Sequence, residues 1–168
     1  MTTTSAFPLH YQSAATLNVP LEVAFAYLDD FKKLSAHMEK PSATMMGSKM
    51  TITLDALGGR VVGSKVRMDG QILGMHLSLE EVVIERQPPF RKAWQTVDAK
   101  LLVIGQYRLG FALSASGDGS LLCVFIDYDL PHDGLGRWLG KLLGKAYARW
   151  CTERMANDAA AHFASSVG

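Results

Sequence analysis

Two cysteines among 168 residues exclude a disulfide-built scaffold. Cys123 falls in a strand-like run and Cys151 in a helical one, so both read as small apolar side chains. The five histidines, His10, His37, His76, His132 and His162, include no i,i+4 pair, and neither HExxH nor CxxC occurs. No metal and no cofactor is therefore expected. Missing too are a GxSxG elbow and any Walker or GxGxxG loop, which removes the common signatures of nucleophilic and phosphate chemistry. Excess charge is absent: 17 cations against 16 anions leave +1. That balance argues against nucleic-acid binding, which needs a basic face to neutralise several phosphates. No stretch of ~18 apolar residues is available to span a bilayer, and residues 1–7 lack the basic and apolar regions of a secretory signal. The expectation is a cytoplasmic protein with residues 1–6 disordered.

What the chain has in quantity is apolar bulk, 48% of residues. At this length one domain over 1–168 is expected, burying roughly 70% of its unfolded surface. Leu9, Tyr11, Ala15 and Leu17 alternate with polar or small residues at period 2, the pattern of a half-buried strand. Pro20 and Glu22 then open a helix, and Ala24, Tyr27, Leu28, Phe31 and Leu34 recur at helical spacing, so two short helices are expected over 20–29 and 31–38. From Met45 onward strands and turns follow. Met50, Ile52 and Leu54 alternate, Gly58-Gly59 makes a turn, and 61–68 forms the next strand. Met75, Leu77 and Leu79 share a side that Val82 and Ile84 take up after a phase slip at Glu80-Glu81, which implies a bulge. Pro88-Pro89 stops that strand, and 90–97, 101–113 and 121–130 complete the set, the last two joined by a tight Ser116-Gly117-Asp118-Gly119 loop. Connections this short make an antiparallel meander.

From Asp133 to about Phe163 the chain reads as one helix, roughly 45 Å long at ~1.5 Å per residue. Leu135, Trp138, Leu139, Leu142, Leu143, Ala146, Tyr147 and Trp150 fall on one broad side, which is expected to roof a cavity over the sheet. Beyond Cys151 the apolar set shifts around the axis to Met155, Ala156, Ala159, Ala160 and Phe163, small enough to pack tightly. Arg137, Lys141, Lys145 and Arg149 recur every fourth residue beside Gly136, Gly140 and Gly144. A basic stripe beside Trp and Leu fits either a solvated face or transient contact with an anionic membrane surface. Each glycine costs a helix about 1 kcal/mol relative to Ala, so close backbone approach or a helix end that loosens to admit ligand is expected. Arg149 and Glu153 form either a surface i,i+4 pair or a polar pair at the pocket edge.

The element order is strand, two short helices, about six strands, long helix. The stretches 19–31 (VPLEVAFAYLDDF), 80–89 (EEVVIERQPP) and 128–131 (YDLP) carry a resemblance to the START-like or SRPBCC superfamily, in its polyketide cyclase/dehydrase and lipid-transport branch. The likeness covers nearly the whole chain. It implies an α+β helix-grip fold, with a curved antiparallel sheet of about seven strands wrapped around the long C-terminal helix. It also implies a hydrophobic small-molecule ligand, lipid-like or polycyclic, held by a carrier or sensor. A cyclase, aromatase or dehydratase using the same pocket is the alternative, and a protein-interaction module is the third reading. Oligomeric state is left open.

Inward candidates for ligand contact are Ile52, Leu54, Met68, Leu77, Trp94, Tyr107, Phe111, Ile126 and Tyr128 from the sheet. The helix adds Trp138, Leu142, Ala146, Arg149, Trp150 and Glu153. Tyr and Trp join apolar bulk to one polar handle, which suits a site that orients a greasy molecule. His10, His76, Asp127 and Asp129 fall on the polar phase of their strands and are expected to be solvated.

Overall fold

The computed structural model describes residues 7–34, 49–72, 74–101 and 103–165. Seven strands form one antiparallel sheet: β1 (Leu9–Leu17), β2 (Lys49–Leu54), β3 (Lys65–Ile72), β4 (Met75–Gln87), β5 (Arg91–Lys100), β6 (Tyr107–Ser116) and β7 (Gly119–Tyr128). Their spatial order is β1-β7-β6-β5-β4-β3-β2, so the meander β2 to β7 is extended at its far edge by β1. Helices α1 (Leu21–Leu28) and α2 (Phe31–Leu34) follow β1, and α3 (Gly134–Ser165) closes the chain. The expected helix over 31–38 is described only to Leu34; residues 35–38, the expected disorder of 1–6 and the onset of strand near Met45 lie outside the described residues.

Local chemistry sets most boundaries. The Gly58-Gly59 turn has both residues at positive φ, +63° and +72°. Ser116 pairs with Gly119, so β6 and β7 are joined by the two-residue turn Gly117-Asp118, with Gly117 at φ +59°. Two expected strands start late. Val61 and Val62 stand exposed in the turn before β3, held as a loop by Asp55, which accepts hydrogen bonds from Ser64 Oγ (2.6 Å) and the Lys65 backbone N–H (2.8 Å). Likewise 103–106 is a connection rather than part of β6, because the Asp129 carboxylate accepts from the Gln106 backbone N–H at 2.6 Å.

The β4–β5 pairing carries two bulges, and they decide which side chains face inward. Glu80 pairs with Asp98 but Glu81 with Thr96, so the extra residue is Val97 on β5. Strand β4 therefore keeps its alternation through Leu77, Leu79, Glu81 and Val83, all buried. The expected slip that placed Val82 and Ile84 inside is corrected: the extra residue of β4 is Ile84, between Val83–Trp94 and Glu85–Ala93, and it is exposed.

Under α1 and α2 lies a buried charge cluster. Lys92, fully buried, donates from Nζ to Asp29 Oδ1 (2.8 Å) and to the Asp29 backbone carbonyl (2.9 Å). Arg86 grips the same carboxylate through Nε (3.1 Å) and Nη2 (2.9 Å). Burial opposes ionisation of Asp29, but these partners outweigh it and hold its carboxyl below the usual range. The Lys92 ammonium also sits 4.4 Å from the centre of the Phe31 ring. The cluster fixes α1 and α2 to β4 and β5 and so aims Phe31 at Trp94, ring centres 4.9 Å apart.

The rotation of α3 differs from expectation. Its buried residues are Gly140, Gly144, Ala148, Thr152, Met155, Ala156, Ala159 and Phe163, so small side chains spaced by four face inward. A Cβ at Gly140 would lie 3.0 Å from the Val103 carbonyl oxygen and 3.0 Å from Pro131; one at Gly144 would lie 3.2 Å from Leu130. Such close approach is what the glycines supply. Thr152 Oγ1 and Ser13 Oγ on β1 share a hydrogen bond at 2.9 Å, and the far end is held by Tyr27 stacked on His162, centres 4.2 Å apart.

Removing one member of the buried charge cluster leaves the other uncompensated. Asp29→Asn is expected to cost about 3–5 kcal/mol in urea unfolding, and adding Lys92→Met to recover most of that loss. Independent, additive losses in the double variant would show that the pair does not act as a unit.

Candidate functional site

Between sheet and α3 lies a cavity of about 40 Å³. Four of the expected inward residues, Met68, Trp94, Tyr107 and Ile126, line it together. Phe31 and Leu34 close it from α2, Leu79, Glu81 and Leu109 from the sheet, and Tyr147, Cys151 and Met155 from α3. None of these eight was among the expected ligand contacts, although Tyr147 belongs to the helix side expected to roof the cavity.

The other expected residues lie elsewhere. Leu77, Phe111 and Tyr128 are buried in the surrounding core, Phe111 against Phe25 at 5.7 Å between ring centres. Ile52 and Leu54 on edge strand β2 are half-buried against it. The helix set is corrected: Trp138, Leu142, Ala146 and Arg149 are exposed, and Trp150 is half-buried with its ring 5.9 Å from that of Tyr147. Arg149 Nε donates to Glu153 Oε1 at 2.9 Å on the surface, so this pair does not edge the cavity. The cause is the small-residue line: a helix that seats Gly140 and Gly144 against Val103 and Leu130 turns Trp138 and Leu142 away and presents Tyr147 and Cys151 instead.

Glu81 is the polar centre of the cavity. It is fully buried, and its Oε1 accepts a hydrogen bond from the Tyr107 hydroxyl. Its Oε2 has no hydrogen-bond partner among the described residues. Burial pushes the Glu81 carboxyl up to about 7, against the lowering effect of the Tyr107 hydroxyl and of the nearby Trp94 indole, which makes no hydrogen bond of good geometry to it. The same burial raises the phenols of Tyr107 and Tyr147 and pushes the Cys151 thiol up to about 12, with the Glu81 charge adding to each. Cys151 is accordingly a neutral thiol, unsuited to act as a thiolate nucleophile.

Near neutral pH Glu81 thus exists in both forms. Protonated, it offers a donor to the cavity; ionised, it offers an acceptor. Elsewhere the polar residues do structural work: His10 Nδ1 pairs with Asp127 Oδ1 at 2.6 Å on the outer surface, and Asp129 holds the connection before β6 at Gln106. Among the described residues no group of three or more His, Cys, Asp or Glu is arranged to hold a metal ion, and no helix is long and apolar enough to cross a membrane.

Glu81 escapes a reading of the sequence because a carboxylate beside Glu80 looks like part of a solvated bulge. The available signal was its phase, i+2 from Leu79 and i−2 from Val83.

No family model and no curated protein sequence matches the chain. Solved structures do. The Zhui aromatase/cyclase from Streptomyces sp. R1128 superposes with a TM-score of 0.70 at 14% identity, covering 95% of this chain and 96% of that one. TTHA0849 from Thermus thermophilus gives 0.68 at 13% identity over 95% and 100% of the two chains. Major latex-like protein 151 from Panax ginseng gives 0.55 at 16% identity over 92% and 97%. At such low identity it is the architecture that is shared: seven antiparallel strands curved around a long terminal helix, with two short helices after the first strand, give this chain the helix-grip fold.

Proposed function

We propose that the protein binds an apolar small molecule carrying a hydroxyl or carbonyl group, which Glu81 engages inside the cavity. The observation that carries this reading is the unpartnered Oε2 of a fully buried carboxyl among apolar and aromatic side chains. A buried polar group without a partner is costly, and no other described residue uses this oxygen. Its ordinary value of 4.5 is raised to about 7, and at about 1.4 kcal/mol per pH unit that is worth about 3 kcal/mol. A ligand hydroxyl or carbonyl against Oε2 offsets the cost and leaves the ligand's apolar body to Trp94, Tyr107, Ile126 and Met155. The Zhui neighbour is an aromatase/cyclase, in keeping with a polycyclic or polyketide-like guest.

The space is smaller than such a guest. An engineered cavity of about 150 Å³ holds benzene, against about 40 Å³ here, so binding requires a wall to move. Of the α3 residues in the wall, Tyr147 is carried by the first half of the helix, which is held by little: Gly140, Gly144 and Ala148 bury no side chain larger than a methyl group, whereas Met155 and Phe163 anchor the second half.

A second reading is favoured by the position of the Glu81 carboxyl near 7. A group that exchanges its proton at neutral pH is suited to general acid–base work, and in contact with a bound polyketide-like substrate it would promote cyclisation or dehydration. Turnover of such a substrate, falling about 100-fold or more in Glu81→Gln, is what separates enzyme from carrier.

Stability should depend on pH through Glu81 with a definite sign. The folded protein keeps this proton between pH 4.5 and about 7 while the unfolded chain has lost it, so stability falls as pH rises across that window and stays low above it. Urea unfolding of Glu81→Gln should lack this fall and exceed the parent at pH 8 by about 2–3 kcal/mol. Parallel pH profiles for the two would contradict a buried, protonated Glu81. For binding, 2-naphthol should be taken up about 10-fold more tightly than naphthalene by the parent protein and without preference by Glu81→Leu; failure to take up either compound would end the ligand-binding reading. Hydrogen exchange should show 134–145 less protected than 152–163; equal protection would rule out opening at that end.

A further inference from the structure

We propose that the outward face of the first half of α3 is a docking surface for an anionic lipid membrane. Four large apolar side chains stand in solvent there: Leu135 is 73% exposed, Trp138 59%, Leu142 60% and Leu143 48%. Leu135, Trp138 and Leu142 fall within an arc of about 60° at ~100° per residue, on the side away from buried Gly140 and Gly144. An exposed apolar strip of this kind on a helix whose opposite side is already packed marks a contact surface.

Charge identifies the partner. Arg137, Lys141, Lys145 and Arg149 are all exposed, and no Asp or Glu occurs between Gly134 and Thr152. Lys141, Lys145 and Arg149 run along one edge of the apolar strip at four-residue spacing. Among the described residues only Arg149 of the four is tied to a carboxylate, that of Glu153. Apolar side chains with a cationic border along a single helix axis match a lipid surface, where Leu and the Trp ring enter the acyl boundary and Lys and Arg meet anionic headgroups. Trp138 brings a ring with one N–H, the side chain favoured at that depth. A second copy of this face would bring cations with no carboxylate to meet them. The chain's overall charge of +1 conceals this patch, because the balancing carboxylates lie elsewhere. No cavity residue belongs to this surface, so substitutions on it leave the cavity lining intact.

The test is co-sedimentation of the full chain with phosphatidylcholine vesicles, with and without about 30% phosphatidylglycerol, at about 50 and about 500 mM salt. Partition should be at least about 10-fold stronger onto the anionic vesicles and weaken with salt, with a blue shift in tryptophan emission that Trp138→Phe removes. Lys141→Glu with Lys145→Glu should lower partition by about 25-fold or more, at about fivefold per cation lost. Trp138→Ala with Leu142→Ala should lower it about 10-fold, and since both residues are exposed the melting temperature of every variant should stay near the parent's. Equal partition onto neutral vesicles, undiminished binding of the charge-reversed variant, a concentration-dependent dimer that binds no vesicles, or binding to polyglutamate without binding to vesicles would each overturn the proposal.

Discussion

The contact of the small-residue line of α3 with Val103, Leu130 and strand β1 determines what the rest of the molecule can present. Gly140, Gly144, Ala148 and Thr152 recur every fourth residue, and the Val103 carbonyl and Leu130 lie where a Cβ on either glycine would press. A side chain larger than Ala at Gly140 or Gly144 would lift the helix or roll it. With the helix seated this way, residues one turn further on point to two different places. Tyr147, Cys151 and Met155 enter the cavity, while Trp138 and Leu142 are left in water. Inner site and outer patch thus follow from one packing choice, and the intrinsic helix cost of the glycines is offset by the approach they allow.

The second determinant is the placing of single extra residues in β4 and β5. Because Val97 takes the first bulge on β5, β4 stays in phase and Glu81 is carried inside; because Ile84 takes the second on β4, Arg86 is brought to Asp29. A bulge placed one strand over would reverse which of Glu81 and Val82 faces the apolar space. The Asp29–Lys92–Arg86 cluster then fixes α1 and α2 so that Phe31 and Leu34 form the cavity wall facing α3.

The architecture was legible in the chain because it is written in period and punctuation: alternating strands, Gly-rich turns, and one terminal helix of 32 residues. Side-chain direction was legible where alternation is unbroken, as for Met68, Trp94, Tyr107 and Ile126. It was illegible in two places for a common reason. On α3 the apolar stripe is real, but apolar residues mark a buried face only when nothing smaller competes for it, and Gly140 and Gly144 permit a closer contact than Trp138 and Leu142. On β4, periodicity shows that a register break exists, yet not which strand carries the extra residue. Both depend on partners distant in sequence, Val103 and Leu130 in one case and Thr96 to Asp98 in the other.

The inner and outer features of α3 bear on each other through stability. Its second half is held by Met155, Ala156, Ala159 and Phe163 and by the stacking of His162 on Tyr27, whereas its first half buries little beyond backbone and methyl groups while exposing four large apolar side chains to water. Water disfavours those side chains, so a surface that takes them up more fully from a displaced helix than from the seated one stabilises displacement of this half. Tyr147 and Cys151, whose movement would enlarge the space around Glu81, lie at the junction of the two halves. Contact of that kind on the outside of the helix would act on the wall of the cavity within, and the weakly anchored half is the one that exposes the apolar side chains to make it.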